Sequence, residues 1–209
     1  MPEHIKSCIK YFQKIFFEYL MSNEYDDAGN LKPLDINCWI AGGALRDYFS
    51  IGYPQSDIDI FFPNEGEYQK LKDFFESKGL EAQYENDKVC VFFFNKHKFD
   101  LVKVFFSGPH ETIAEFDFTV CCCAVDEDDV YMHADFFPDL ARRRLIINKL
   151  PFPLSTLQRL QKYIKKGYSI CNGGLLDLSK GIAGLDLTRP EVNTFEFYAD
   201  GSPRFVRFD

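Results

Sequence analysis

Hydrophobic positions along this chain recur at two periods, and the change from one to the other marks its elements. Ile5, Cys8, Ile9, Phe12, Ile15, Phe16 and Tyr19 follow a three-and-four spacing, which predicts an amphipathic helix from Ile5 to Met21. The polar stretch from Ser22 to Asp35 carries Gly29 and Pro33 and predicts a surface loop into a short strand at Cys38 to Ala41. Gly42 and Gly43 then open a short helix, ALRDYFS. A turn at GYPQ leads to a strand, DIDIFF, from Asp57 to Phe62, and a helix follows from about Gly66 to Lys78, ending before Gly79. Two β-rich runs, Lys88 to Phe94 and Lys98 to Phe106, are joined by NKH and predict a hairpin. A third apolar run, Phe116 to Val125, meets VYMHA across the acidic turn DEDD and predicts another.

After Pro138 the period becomes helical. From Ser155 to Lys166, Leu157, Leu160 and Ile164 share one face and Arg159, Lys162 and Lys166 the opposite one, with Ser155 or Thr156 as cap and Gly167 as the terminating residue. Asp200-Gly201 between two aromatic-rich runs predicts a terminal hairpin. The expected fold is α+β: a mixed β-sheet flanked by helices, βαβ-like at its start with antiparallel pairs added, and a small helical C-terminal part. Residues 1–135 form the main unit in this reading, 136–180 a basic helical extension packed on it, and 181–209 a tail with the hairpin.

Composition narrows the function classes. At 209 residues one domain can bury a sufficient core without disulfides. The seven cysteines show no framework or paired metal-binding spacing, so they read as reduced core residues, and the run Cys121, Cys122, Cys123 as a buried strand. The N-terminus lacks a secretory apolar run and no stretch approaches membrane-spanning length, so the expected location is the cytoplasm, with no membrane partner. A net charge of -8 argues against a surface that coats nucleic acid indiscriminately. The charge is uneven, however: between Ala141 and Lys166 lie Arg142, Arg143, Arg144, Lys149, Arg159, Lys162, Lys165 and Lys166, and no acid. Such a split suits metal-binding carboxylates facing a phosphate-holding surface, or simply a solvated basic face.

The candidate chemistry starts at Asp57 and Asp59. Residues i and i+2 of a strand share a face, so these carboxylates stand side by side while Ile58 and Ile60 face the other layer. Neighbouring carboxylates repel unless a cation lies between them, and Mg²⁺ combines a few carboxylate oxygens with substrate phosphates. Alternating acids on a solvated strand are the bland reading of the same motif. Gly42 and Gly43, between a strand and a helix, allow backbone N–H groups to approach a phosphate, although a Gly-Gly pair also serves as a plain tight turn. Arg46 can hold a phosphate or pair with Asp47. Asp100 is read either as a third carboxylate or as an edge-strand acid, and Asp117 carries the same ambiguity.

Together, AGGALRDYFSIGYPQSDIDIFF resembles the core motif of the DNA polymerase β-like nucleotidyltransferase superfamily, and more closely the head domain of class II CCA-adding enzymes and bacterial poly(A) polymerases. Gly42, Gly43, Leu45, Arg46, Asp47, Asp57 and Asp59 match its GG-x-V-R-D and D-x-D in order and spacing. Asp117-Phe118-Thr119-Val120 looks like the motif that recognises the ribose, and QRLQKYIKKGYSI like the later basic helix, so the resemblance touches roughly residues 39–170. Glu115 and Phe116 stand where that motif has two arginines and Cys121 where it has asparagine, and no base-selecting E-D-x-x-R segment follows.

The resemblance implies a nucleotidyltransferase-like fold and a metal-dependent enzyme that transfers a nucleoside monophosphate from an NTP to a hydroxyl, releasing pyrophosphate. In that scheme Asp57 and Asp59 hold two Mg²⁺ ions and Asp100 activates the attacking hydroxyl. Gly42, Gly43, Arg46, Asp117, Arg159 and Lys162 bind the nucleotide. The acceptor is an RNA 3′ end, a protein or a small molecule, and the C-terminal aromatic tail is a candidate surface for a protein partner. The competing expectation is a non-catalytic module that keeps the fold to bind a nucleotide or a partner.

Overall fold

The computed structural model describes residues 2–18, 36–94, 96–185, 195–197 and 203–205. Seven strands form the central sheet: β1 (Trp39–Ala41), β2 (Ile58–Phe61), β3 (Tyr84–Glu85), β4 (Val89–Phe94), β5 (His97–Val102), β6 (Cys123–Val125) and β7 (Val130–Met132). Their order is β3-β4-β5-β2-β1-β6-β7. Only β2 and β5 run parallel; the neighbouring pairs, β1 with β2 included, are antiparallel. The expected mixed α+β sheet is therefore present, but the βαβ-like start is not. The helix between β1 and β2 is short and returns the chain alongside the strand it left, and the parallel partner of β2 is supplied from further along by β5.

One face of this sheet builds the core. Ile40, Ile58, Ile60, Phe92, Phe99 and Leu101 alternate inward and are buried, where they meet α1 (Glu3–Phe12), α2 (Gly43–Ile51) and α3 (Glu65–Ser77). The regular α-turns of the first helix stop at Phe12 and continue as a π-helical stretch, Gln13–Glu18. Asn64 caps α3 by accepting a hydrogen bond from the Glu67 N–H at 3.1 Å. Phe92 is fully buried and meets Phe75 edge-on, with ring centroids 5.0 Å apart. Phe92→Ala should cost about 3–5 kcal/mol through the cavity it leaves, read as a lower urea midpoint.

The opposite face carries Trp39, Ala41 and Phe61, backed by α4 (Pro109–Ala114), whose Thr112 Oγ1 accepts a hydrogen bond from the Trp39 indole N–H at 2.9 Å. The third apolar run departs from its expected strand. Thr119–Cys121 form a 3-10 turn and pairing within the central sheet starts only at Cys123, while Phe118 bridges to Ile147 instead and the Thr119 hydroxyl bonds to buried Asp139 (2.6 Å). The triple cysteine is buried, as are Cys8, Cys38 and Cys90, whereas Cys171 is exposed. Burial pushes the Cys8 and Cys122 thiols up to about 12, which leaves them unreactive.

The C-terminal part contains α5 (Phe136–Ala141), β8 (Arg144–Leu145), α6 (Pro153–Lys165), β9 (Ser169–Ile170) and α7 (Asn172–Ala183). The basic helix α6 starts earlier than expected, with Pro153 in its first turn and no side-chain cap at Phe152. Its buried face is Pro153, Thr156, Leu160 and Tyr163, while Ile164 is exposed. The parallel pair β8–β9 was not expected. Phe195–Phe197 and Pro203–Phe205 pair antiparallel as the terminal hairpin requires. Its turn at Asp200-Gly201 and the loop from Ser22 to Asp35 lie outside the described residues. No described helix is long and apolar enough to cross a membrane.

Candidate active site

The site follows from strand register. Ala41 pairs with Asp59 across β1 and β2, so the residue after Ala41, Gly42, comes to lie beside the acid. A Cβ on Gly42 would sit 3.9 Å from Asp59 Oδ2 and 3.5 Å from the Phe116 ring. These are ordinary van der Waals contacts; it is the φ of +88°, a conformation that L side chains rarely adopt, that calls for glycine here. A Cβ on Gly43 would approach Ser56 Cβ and Oγ to 3.1 Å. Gly42 stands before the first turn of α2 with no side-chain cap. The N–H groups of that turn lack a protein acceptor of the capping kind and are suited to an anion.

Across β2 and β5, Asp59 pairs with Asp100, so both acids leave the sheet on the same face, opposite the core residues Ile58, Ile60, Phe99 and Leu101. Asp57 immediately precedes β2 and is exposed. Burial, reinforced by the charges of Asp100 and Asp57, pushes the Asp59 carboxyl up to about 7. Burial likewise raises Asp100 in spite of its bond to Lys98. Lys98 was not singled out from the sequence. It stands two residues before Asp100 on β5, and the alternation of KFD places it on the acidic face. Its ammonium lies 2.7 Å from Asp57 Oδ2 and 2.9 Å from Asp100 Oδ2. The other oxygen of Asp100, Oδ1, is buried without a hydrogen-bond partner.

The donor set of Asp57, Asp59 and Asp100 is all carboxylate oxygen, the chemistry a hard divalent cation takes, and the orphaned Asp100 oxygen is a further acceptor in search of one. Among the described residues, no three His, Cys, Asp or Glu side chains are gathered closely enough to hold a metal ion. The acids are therefore adjacent without being drawn around one point.

Gly42, Gly43, Asp57 and Asp59 line a cleft of about 290 Å³. Its far wall is Asp117, Arg159, Lys162 and Tyr163, with Phe61 and Phe116 at its side. Asp117 is buried, and the Arg159 Nε–H donates to its Oδ2 at 2.6 Å, joining two expected nucleotide-binding residues that are 42 positions apart. Asp100 and Lys98 stand beside the cleft on the next strand.

Arg46 also borders the cleft but is only 2% exposed. Its guanidinium donates to Asp47 Oδ1 from Nε (3.0 Å) and Nη2 (2.6 Å), to Ser56 Oγ (2.9 Å), and through Nη1 to Tyr163 OH (2.9 Å) and Cys121 Sγ (3.5 Å). Burial works against the Asp47 carboxylate, yet the Arg46 charge, the Ser56 hydroxyl and Lys166 hold its pKa below the ordinary value. Arg46 thus ties the glycine turn to α6. Tyr163 and Cys121 complete this network, and no local pattern pointed to either as its partner. Of the arginine run, Arg144 pairs with Asp139 at 2.5 Å, while Arg142 and Arg143 are exposed.

Comparison with known proteins fits this geometry into a lineage. The family model for Gabija anti-defense 2 proteins matches residues 9–143, which include the glycine turn, all three acids and Asp117. The chain belongs to the Gabija anti-defense 2 family. Gabija anti-defense 2 of Bacillus phage SPbetaL7 is 30% identical over 168 residues, covering 77% of this chain and 40% of that protein, so the chain spans well under half the length of this curated relative. Among solved structures, a CCA-adding enzyme in complex with CTP superposes with a TM-score of 0.56 at 16% identity, over 86% of this chain and 46% of the other. A tRNA nucleotidyltransferase complexed with a primer tRNA and an incoming ATP analog gives 0.53 at 15% identity, over 70% and 46%. At such identities the likeness is one of fold: this member of the Gabija anti-defense 2 family has a nucleotidyltransferase fold.

Proposed function

We propose that this domain is a metal-dependent nucleotidyltransferase that moves a nucleoside monophosphate from an NTP to a hydroxyl acceptor. The observation that carries the proposal is the register that sets Asp59 and Asp100 on one sheet face, with Asp57 just ahead of β2, beside a glycine turn whose first residue has φ +88°. Mg²⁺ ions held by Asp57 and Asp59 supply charge neutralisation for the triphosphate and the leaving pyrophosphate. Gly42 and Gly43 let the first turn of α2 meet the phosphates, and Arg159 and Lys162 face them from α6. The acceptor oxygen bonds to the α-phosphorus as its bond to the pyrophosphate breaks, and Asp100 takes the hydroxyl proton. Asp117 steers Arg159, and Arg46 holds the turn and α6 in register. The nucleotides named for the structural neighbours, CTP and an ATP analog, support an NTP as donor. An RNA 3′ end, a protein or a small molecule serves as acceptor, and the relative's name suggests action against the Gabija defence.

The non-catalytic reading draws on one feature, the Lys98 ammonium bridging Asp57 and Asp100 where an active site needs a divalent cation. Incubating the protein with α-labelled NTPs and Mg²⁺ separates the two readings. Transfer releases pyrophosphate and fixes the label to an acceptor, whereas a binder retains intact nucleotide. Arg159→Gln should raise the KM for NTP about 10–100-fold by removing a charge-assisted contact, with an unchanged circular dichroism spectrum. An unchanged KM would remove Arg159 from the nucleotide site.

A further inference from the structure

Among the described residues, Lys98 is a cation whose ammonium contacts both Asp57 and Asp100, and the function proposed above does not use it. Phe99, between Lys98 and Asp100, is fully buried, so β5 cannot turn over and the lysine is fixed on the acidic side. Its Nζ bridges Asp57 Oδ2 at 2.7 Å and Asp100 Oδ2 at 2.9 Å. Mg²⁺ binds oxygen at roughly 2.0–2.1 Å, so an ammonium holds these oxygens further apart than the ion would.

We propose that Lys98 is a built-in counter-cation that occupies the place at Asp57 where a divalent metal would bind, and that the metal enters by displacing it. The proposal rests on the nucleotidyltransferase reading. Three carboxylates left without any cation would repel one another across two adjacent strands, and the lysine offsets this while no metal is bound. The same contacts make the ion compete with a tethered positive charge, so Lys98 sets the metal concentration at which the site fills. The stem of Lys98 is long and its side chain is 30% exposed, so the ammonium has a route out of the site that leaves the strand pairing intact.

The test is Mn²⁺ binding to nucleotide-free protein, followed by the loss of free-ion electron paramagnetic resonance signal. Lys98→Gln should bind Mn²⁺ at least about tenfold more tightly than wild type, since the competing charge is gone, while Lys98→Arg keeps the charge and stays weak. Asp57→Asn in the Lys98→Gln background should abolish the gain. In wild-type protein, saturating Mg²⁺ should speed acetylation of Lys98 by an amine reagent, quantified by peptide mass spectrometry. That readout needs no variant to fold. If wild type binds Mn²⁺ and Lys98→Gln binds it no better, or if bound Mg²⁺ leaves Lys98 as protected as before, the displacement proposal is wrong and the metal site stands. If neither wild type nor Lys98→Gln binds Mn²⁺, the metal-dependent reading fails and the proposal fails with it.

Discussion

Asp59→Asn should lower nucleotide transfer by about a thousandfold or more, the equivalent of about 4 kcal/mol of transition-state stabilisation, while the protein melts no earlier than wild type. The two halves of this result have one cause. Asp59 sits next to Asp100 in the register of β2 and β5, and burial with its acidic neighbours already raises its pKa to about 7. Folding therefore gains nothing from the charge, and a neutral amide of the same shape relieves repulsion. Catalysis needs that charge, because an amide is a poor ligand for a hard divalent ion. Pyrophosphate release and a melt in the presence of a chelator measure the two effects. A variant that retains its rate removes Asp59 from the mechanism, and one that loses rate and stability together assigns it a structural role.

Arg46→Met should have the opposite signature, a loss of about 3–5 kcal/mol of stability, because it takes the guanidinium from the buried Asp47 carboxylate and leaves it only the Ser56 hydroxyl and the more distant Lys166. The guanidinium joins Asp47, Ser56, Tyr163 and Cys121, so four groups on α2, the turn before β2, α6 and the 3-10 turn lose a contact at once. Adding Asp47→Asn to Arg46→Met should restore part of the loss by removing the stranded charge. Urea unfolding of wild type and both variants measures this. Equal midpoints for wild type and Arg46→Met would show that the network carries no stability.

Much of the site was legible because its signals are short-range. Asp59 declares its face through strand alternation, with Asp57 just ahead of β2, and the glycine pair announces a turn whose backbone conformation favours glycine. The terminal hairpin and the hairpin of β4 and β5 were legible for the same reason, since turn residues lie between their halves. What was hidden depends on register between distant segments. Lys98 is an ordinary surface lysine until the pairing of β5 with β2 brings it against Asp57, 41 residues away. The Asp117–Arg159 pair and the Arg46–Tyr163 bond likewise exist only after α6 docks. The break before Cys123 was hidden because an apolar run without Gly or Pro looks like continuous strand, while Asp139, the partner of the Thr119 hydroxyl there, lies 20 residues further on. In α6 the apolar positions suggested a Leu157-Leu160-Ile164 face, but Tyr163 is buried and Ile164 exposed, because Arg46 draws the tyrosine hydroxyl inward.

The central claim is that two strand acids and a glycine turn hold a divalent ion and a triphosphate in one cleft. A crystal of the protein with a non-hydrolysable NTP and Mn²⁺ tests it most directly. The account predicts anomalous density for Mn²⁺ at Asp57 and Asp59, triphosphate oxygens within hydrogen-bonding distance of the N–H groups following Gly42, and Lys98 withdrawn from Asp57. Nucleotide bound elsewhere, or bound in the cleft with no manganese at the two acids, would contradict it.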